Sequence, residues 1–207
     1  MTDLIILGVG PHSQEMVEII ERVNRAEPTW NLVGFLGTDS ASVGNKLNGC
    51  PVLGTQADWA RFADACFVPD CSAASRALDI PRDRLATLVD PSAFVSRTAT
   101  LGAGCVVYPH GFVGNSAQIG DYLFCLSHCT ISHDDVVGDR VTMASGARLA
   151  GYVHVEDDCY LGQACTCKPG LAIGRGSLLG MGAVVVKRVE PNSVMVGNPA
   201  RKLRDNA

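Results

Sequence analysis

The sequence has few aromatic residues and little charge. Phe, Trp and Tyr make up 6% of its 207 residues, and Asp, Glu, Lys and Arg 18%. The scarcity of rings excludes a core built on large aromatics, so small aliphatic side chains have to fill the interior. Low charge with 47% hydrophobic residues excludes a disordered chain, which needs the opposite balance. A basic excess is missing too. The formal net charge is −4, whereas a protein held on nucleic acid by phosphate contacts needs a positive surface. No apolar run reaches the roughly 18 residues of a membrane span. The N-terminal residues also lack the positively charged stretch of a secretory signal. A soluble cytoplasmic protein, with no nucleic-acid partner and no membrane insertion, is the expectation.

Glycine and cysteine are plentiful. The 22 glycines exceed the usual share of about 7% and point to many tight turns. The nine cysteines are odd in number and spread over a long chain, which favours reduced thiols over a disulfide framework.

The two halves of the chain follow different rules. Residues 1–84 alternate strand and helix. Leu4-Ile5-Ile6-Leu7 reads as a buried strand. Gly8-Val9-Gly10-Pro11-His12-Ser13 turns the chain, with Ser13 as the expected N-cap. Ser13 to Val23 then spaces Met16, Val17, Ile19, Ile20 and Val23 as a helix does. Leu32 to Leu36, Val52-Leu53 and Cys66 to Val68 read as further strands, and Ala57 to Ala65 as a helix. This order predicts a small Rossmann-like βαβ domain of the nucleotide-binding kind.

From Val89 the period becomes six. Val89, Val95, Leu101, Val107, Val113, Ile119, Cys125, Ile131, Val137, Met143, Leu149, Val155, Leu161, Cys167, Ile173, Leu179 and Val185 are all apolar. Chance gives such a run about three times in a million at this composition. The next position is often glycine, as at Gly102, Gly114, Gly120, Gly138, Gly162, Gly174 and Gly180. The fourth position after the aliphatic is mostly small, as at Ala93, Cys105, Ala117, Cys129, Ala147, Cys159 and Cys165. Such a hexad array predicts a solenoid of triangular coils, three hexads each, with the aliphatic inside. Six cysteines fall on the aliphatic or small positions and read as buried hydrophobes.

The array, ending in Val196-Gly197-Asn198-Pro199-Ala200-Arg201, resembles the left-handed β-helix acyltransferases of the hexapeptide-repeat superfamily. A short βαβ domain opening Leu7-Gly8-Val9-Gly10-Pro11-His12, fused to uninterrupted coils, looks like the sugar acetyltransferases that act on nucleotide-linked 4-amino sugars. Sialic acid O-acetyltransferases share that layout. The resemblance implies a left-handed parallel β-helix over residues 85–207 after a nucleotide-sugar-binding domain over 1–84. It also implies acetyl-CoA as co-substrate and a homotrimer with active sites between subunits.

Ile131-Ser132-His133-Asp134 is the segment best suited to chemistry. An amine attacking a thioester has to lose a proton, and a neutral imidazole held by a carboxylate is a natural acceptor. The resemblance makes His133 the general base and Asp134 the residue that raises its basicity. Gly151 lies eighteen residues on, one coil along, and corresponds to the family glycine whose N–H meets the acetyl carbonyl. Thr142, Gln163 and Met181 match family positions along the coenzyme. Lys187, Arg188, Arg201, Lys202 and Arg204 cluster after the coils and suit its phosphates. In the N-terminal domain the resemblance assigns the nucleotide sugar to Gly10, Pro11 and His12. Pro11 stands where relatives usually carry a second glycine, and Asp39 is the counterpart of paired aspartates. Cys125, His128, Cys129 and His133 imitate a zinc cluster in spacing only, because the cysteines belong to inward positions and the histidines do not. No metal is expected.

The reaction the resemblance implies is direct acetyl transfer from acetyl-CoA to the 4-amino group of a nucleotide-linked amino-deoxy sugar. O-acetylation of sialic acid or a related sugar hydroxyl is the alternative. An NAD-dependent oxidoreductase fits poorly, since Ser13 stands where the dinucleotide fingerprint needs its third glycine. A non-enzymatic scaffold leaves the His133-Asp134 pair without a purpose.

Overall fold

A computed structural model describes residues 1–206. The chain forms two compact units, Met1–Pro91 and Ser92–Ala207.

In the first unit, the strands β1 (Thr2–Leu7), β2 (Trp30–Gly37), β3 (Lys46–Leu47), β4 (Cys50–Thr55) and β5 (Cys66–Pro69) form one sheet in the order β3-β4-β2-β1-β5. All neighbours are parallel except the β3–β4 hairpin. Leu4, Ile5, Ile6 and Leu7 are fully buried, as a continuous apolar run in a parallel sheet has to be. The helix α1 (Pro11–Ala26) buries Met16, Val17, Ile19 and Ile20. It begins earlier than the apolar spacing alone places it. Gly10 is the N-cap and Pro11 opens the first turn, where a missing N–H costs nothing. Ser13 is therefore not the cap. It is buried in the first turn, and its hydroxyl donates to Asp70 at 3.2 Å. The helix expected over 57–65 is a shorter 3₁₀ segment, Gln56–Arg61, closed by a capping box between Thr55 and Asp58.

The second unit is a parallel β-solenoid. From Val107 to Val185 each hexad gives a two-residue strand, and each strand pairs in parallel with one eighteen residues away. Three strand faces result. Val107, Cys125, Met143, Leu161 and Leu179 line one of them from inside, Val113, Ile131, Leu149, Cys167 and Val185 the second, and Ile119, Val137, Val155 and Ile173 the third. These residues are 0–6% exposed. The interior is one continuous aliphatic stack, so the low aromatic content is no handicap. Leu161→Ala, in the middle of that stack, is expected to cost about 2–5 kcal/mol in chemical denaturation.

The corners show how glycine is used. The third residue after each aliphatic, every sixth residue from Gly104 to Gly182, has φ between 55° and 74°. Many of these residues are not glycine, among them His110, His128, Asp134 and Asp158. The expected tight-turn role of glycine thus holds at only some corners. The glycines directly after the aliphatic serve the stacking instead. A Cβ on Gly162 would lie 2.5 Å from the Leu179 carbonyl of the next coil, and one on Gly120 would meet the backbone at Gly138 and Asp139. Adjacent coils approach too closely there for any side chain.

Candidate active site

His133 and Asp134 form one corner of the solenoid, between the strands Thr130–Ile131 and Val136–Val137. Asp134 takes the left-handed conformation, φ 58°, which Asp tolerates better than most residues. The local turn thereby brings its carboxylate back over the preceding ring. His133 Nδ1 donates to Asp134 Oδ2 at 3.0 Å. That bond fixes the tautomer and leaves Nε2 as a proton acceptor. The imidazole side chain is 54% exposed, so a substrate can reach it.

The next coil supplies the floor. The Tyr152 N–H donates to the His133 carbonyl at 3.2 Å, and the Tyr152 ring meets the imidazole edge-on with centroids 5.1 Å apart. Gly151 lies directly under the ring. A Cβ added there would stand 2.5 Å from Nε2 and 2.9 Å from Nδ1 of His133. Among the described residues the Gly151 N–H has no acceptor in the chain, and Gly151 itself is buried beneath the ring. His133, Asp134 and Gly151 are thus brought together as the spacing predicts.

Thr142, Gln163 and Met181 lie elsewhere. Thr142 is buried in the strand Thr142–Met143. Gln163 and Met181 stack one coil apart on a different edge of the solenoid, where the Gly182 N–H joins the Gln163 carbonyl at 2.8 Å. Both are exposed, and their N–H groups have no acceptor among the described residues. A row of free backbone donors of this kind fits the amide carbonyls of a pantetheine arm. Of the basic residues after the coils, Arg188 faces Glu190 at 3.5 Å and Lys202 faces Asp205 at 2.5 Å, so part of that charge is locally paired. Lys187 is exposed.

Most of the solenoid thiols are poor nucleophiles, while a hydrogen bond from Cys125 pulls Cys129 the other way, below the usual thiol value. All nine cysteines are free, and the six in the solenoid are buried. Burial pushes Cys159 up to about 11 and Cys165 up to about 12, and raises Cys167 further in the same direction. Cys129 donates its S–H to the Ala144 carbonyl at 3.1 Å. Among the described residues no group of three or more His, Cys, Asp or Glu side chains is placed to hold a metal ion. His128 stacks on His110 instead, at 4.9 Å.

In the first unit, Gly10, Pro11 and His12 sit at the N-terminus of α1, beyond the carboxyl end of β1. Strands β2 and β5 lie on opposite sides of β1, which makes this the crevice where open parallel sheets bind ligands. His12 Nδ1 pairs with Glu15 at 3.0 Å. Asp39 is spent on capping the 3₁₀ turn Ser40–Ser42, accepting from the Ala41 N–H at 2.8 Å. Asp70, which no periodicity marks, organises the loop. It follows β5 and accepts from Ser13, Ser72 and Ser75. Gly8, at φ 124°, leaves room for its carboxylate.

Asp135 is the second residue the spacing did not single out. It is fully buried next to the His133–Asp134 pair and accepts from the Ser132 N–H at 2.6 Å and the Val153 N–H at 2.8 Å. Burial pushes its carboxyl up to about 6, against the pull of those two N–H groups. Its signal was present in the sequence, as the one charged residue in the small position of the hexads.

Comparison with known proteins agrees with this architecture. The family described as hexapeptide repeat of succinyl-transferase matches residues 152–187. The GDP-perosamine N-acetyltransferase of Escherichia coli O157:H7 is 29% identical over 215 aligned positions, covering 96% of this chain and 95% of that protein. The acetyltransferase domain of PglB from Neisseria gonorrhoeae FA1090, solved with acetyl coenzyme A, superposes with a TM-score of 0.84 at 23% identity, over 98% of this chain and 99% of that one. PerB from Caulobacter crescentus, solved with CoA and GDP-perosamine, gives 0.82 at 24% identity, over 98% and 97%. No helix among the described residues is long and apolar enough to cross a membrane.

Proposed function

We propose that this chain, which resembles the hexapeptide-repeat acyltransferases, carries the acetyl group of acetyl-CoA to the 4-amino group of a nucleotide-linked amino-deoxy sugar, a reaction of bacterial surface-glycan assembly. The observation that carries this reading is the imidazole of His133, held by Asp134 at Nδ1 and packed over Gly151, whose N–H has no acceptor among the described residues. The full-length similarity to a GDP-perosamine N-acetyltransferase supports the substrate class and makes GDP the first nucleotide to test.

In this reading Nε2 of His133 takes the proton of the amine as its nitrogen bonds to the acetyl carbon. Asp134 stabilises the imidazolium that forms. The Gly151 N–H donates to the carbonyl oxygen while it carries negative charge. When the carbon–sulfur bond breaks, the coenzyme thiolate leaves and the imidazolium supplies its proton. Transfer is direct in this reading, since the six thiols of the solenoid are buried and none is exposed beside a base. Gln163 and Met181 offer backbone donors to the coenzyme, and Thr142 lines its path. Gly10, Pro11 and His12 hold the nucleotide sugar in a Rossmann-like crevice, and the coils wind left-handed. Within one chain the His133 edge and the Gln163–Met181 edge are separate. A groove that uses both forms when the edge of one protomer faces the other edge of a second, which favours a homotrimer with its sites between subunits. The cytoplasm, where acetyl-CoA and nucleotide sugars are made, is the location that suits the reaction.

The test is release of CoA thiol from acetyl-CoA with GDP-, UDP- and dTDP-linked 4-amino-4,6-dideoxy sugars and free sialic acid as acceptors. Turnover on one amino sugar is the expected result. Turnover on sialic acid alone would overturn the N-acetyl assignment.

A further inference from the structure

On the face that carries Ile131 the ladder of N–H bonds between coils is regular except at one step. There the residue after each inward aliphatic donates its N–H to the next coil. Gly114 donates to the Ile131 carbonyl at 2.9 Å, Ala150 to Cys167 at 3.3 Å and Lys168 to Val185 at 2.9 Å. At the step from Ile131 to Leu149 the Ser132 N–H turns to Asp135 Oδ2 instead. The paired register there shrinks to Thr130 with Arg148. The corner above is altered as well. On the same edge of the solenoid the backbone N–H of Ala99 closes on the Ser96 carbonyl at 2.9 Å and that of Ala117 on the Gly114 carbonyl at 3.4 Å. The equivalent N–H of Val153 reaches down to Asp135 Oδ1 at 2.8 Å. One buried carboxylate thus takes two donors out of the regular scheme, one on the His133 coil and one on the Gly151 coil.

We propose that Asp135 is a positioning residue of the acetyl-transfer site. By drawing the Ser132 and Val153 N–H groups to itself, it holds the Gly151 corner open, so that the His133 imidazole lies over the glycine with its Nε2 free. The inference rests on the acetyl-transfer reading of this corner. Cysteine or alanine fills the same place at Cys129, Ala147, Cys159 and Cys165, and a small apolar residue there lets coil and corner close normally. A fully buried carboxylate within reach of the Cys167 thiol loses hydration that a thiol or methyl never had. The groups facing it are few. His133 favours its charge and Asp134 opposes it, while the Cys167 thiol is itself raised in part by Asp135. The compensation is geometric, and it falls at the one coil step that carries the catalytic corner.

The experiment compares Asp135→Cys and Asp135→Asn with the wild type, with Cys159→Ala as the control at an equivalent interior position. Melting temperature, kcat, KM and amide exchange at Ser132 and Val153 are read for each. Asp135→Cys is expected to fold with the regular ladder restored, so that exchange at Ser132 slows. Its kcat should fall at least about tenfold with KM for acetyl-CoA changed by less than about threefold, the signature of a misplaced reacting group. Asp135→Asn keeps one acceptor and should fall in between. Cys159→Ala should leave kcat unchanged. A folded Asp135→Cys that kept kcat within about twofold of wild type would overturn the proposal. If Asp135→Cys fails to fold, the same criterion applies to Asp135→Asn. If the wild type transfers acetyl to no acceptor, the acetyl-transfer reading fails by itself. The ring ¹⁵N shifts of His133 then decide on Asp135, because a ring environment identical in Asp135→Asn and wild type contradicts positioning.

Discussion

His133→Ala is expected to lower kcat by about two to four orders of magnitude, the range that loss of a positioned general base covers. The side chain is half exposed and its only side-chain hydrogen bond goes to Asp134. The interior stack beside it is Ile131, Leu149 and Val137, none of which the imidazole fills. Truncation therefore removes the proton acceptor without opening a cavity, and melting temperature and oligomeric state should stay close to those of the wild type. KM for acetyl-CoA should change little, because the donors assigned to the coenzyme lie on the other edge, at Gln163 and Met181. The measurement is steady-state CoA release alongside thermal unfolding. A variant that folds and keeps near-native kcat would remove His133 from the mechanism and leave only its surface position. A variant that loses kcat together with its melting transition would show that the corner is structural.

Much of this architecture was legible because a solenoid writes its geometry into the sequence at a fixed period. Every inward aliphatic from Val107 to Val185 occupies the place the hexad register gives it, and Gly151 stacks on His133 because eighteen residues make one coil. The αβ unit was less legible. Its strands follow from apolar runs, but the start of α1 depends on Pro11, whose missing N–H moves the cap back to Gly10. The 57–65 segment carries helical spacing, yet the Thr55–Asp58 capping box closes a tighter turn. The partners of Asp70 are 57, 2 and 5 residues away in the chain, a pattern with no period. Asp135 breaks the hexad pattern, and a carboxylate in the small position marks the step where the ladder is rewired. The edges on which His133 and Gln163 lie follow from counting corners, whereas the side-chain and backbone groups left free at each edge emerge only from the hydrogen bonds.

Gly151→Ala should lower kcat about a hundredfold, for a reason opposite to that of His133→Ala. Gly151 is not among the residues with left-handed φ, so its backbone accepts alanine without strain. The nearest collision is with the imidazole, at Cε1, Nε2 and Nδ1. The ring has to leave its place over the corner, the Nδ1 bond to Asp134 is put at risk, and a methyl group covers the approach to the free N–H. A double substitution separates these contributions. Without the ring, alanine at 151 meets no obstacle, and a Gly-to-Ala change at a compatible backbone position stabilises by about 0.4–1 kcal/mol. His133→Ala/Gly151→Ala should therefore melt above His133→Ala. Gly151→Ala alone should gain less over wild type, since displacing the imidazole offsets the entropic benefit. In turnover the double variant should lose less than the product of the two single losses, because both changes disturb the same proton acceptor. Fully additive losses would mean that Gly151 contributes through its own N–H, independently of the ring, and would assign most of its effect to the oxyanion.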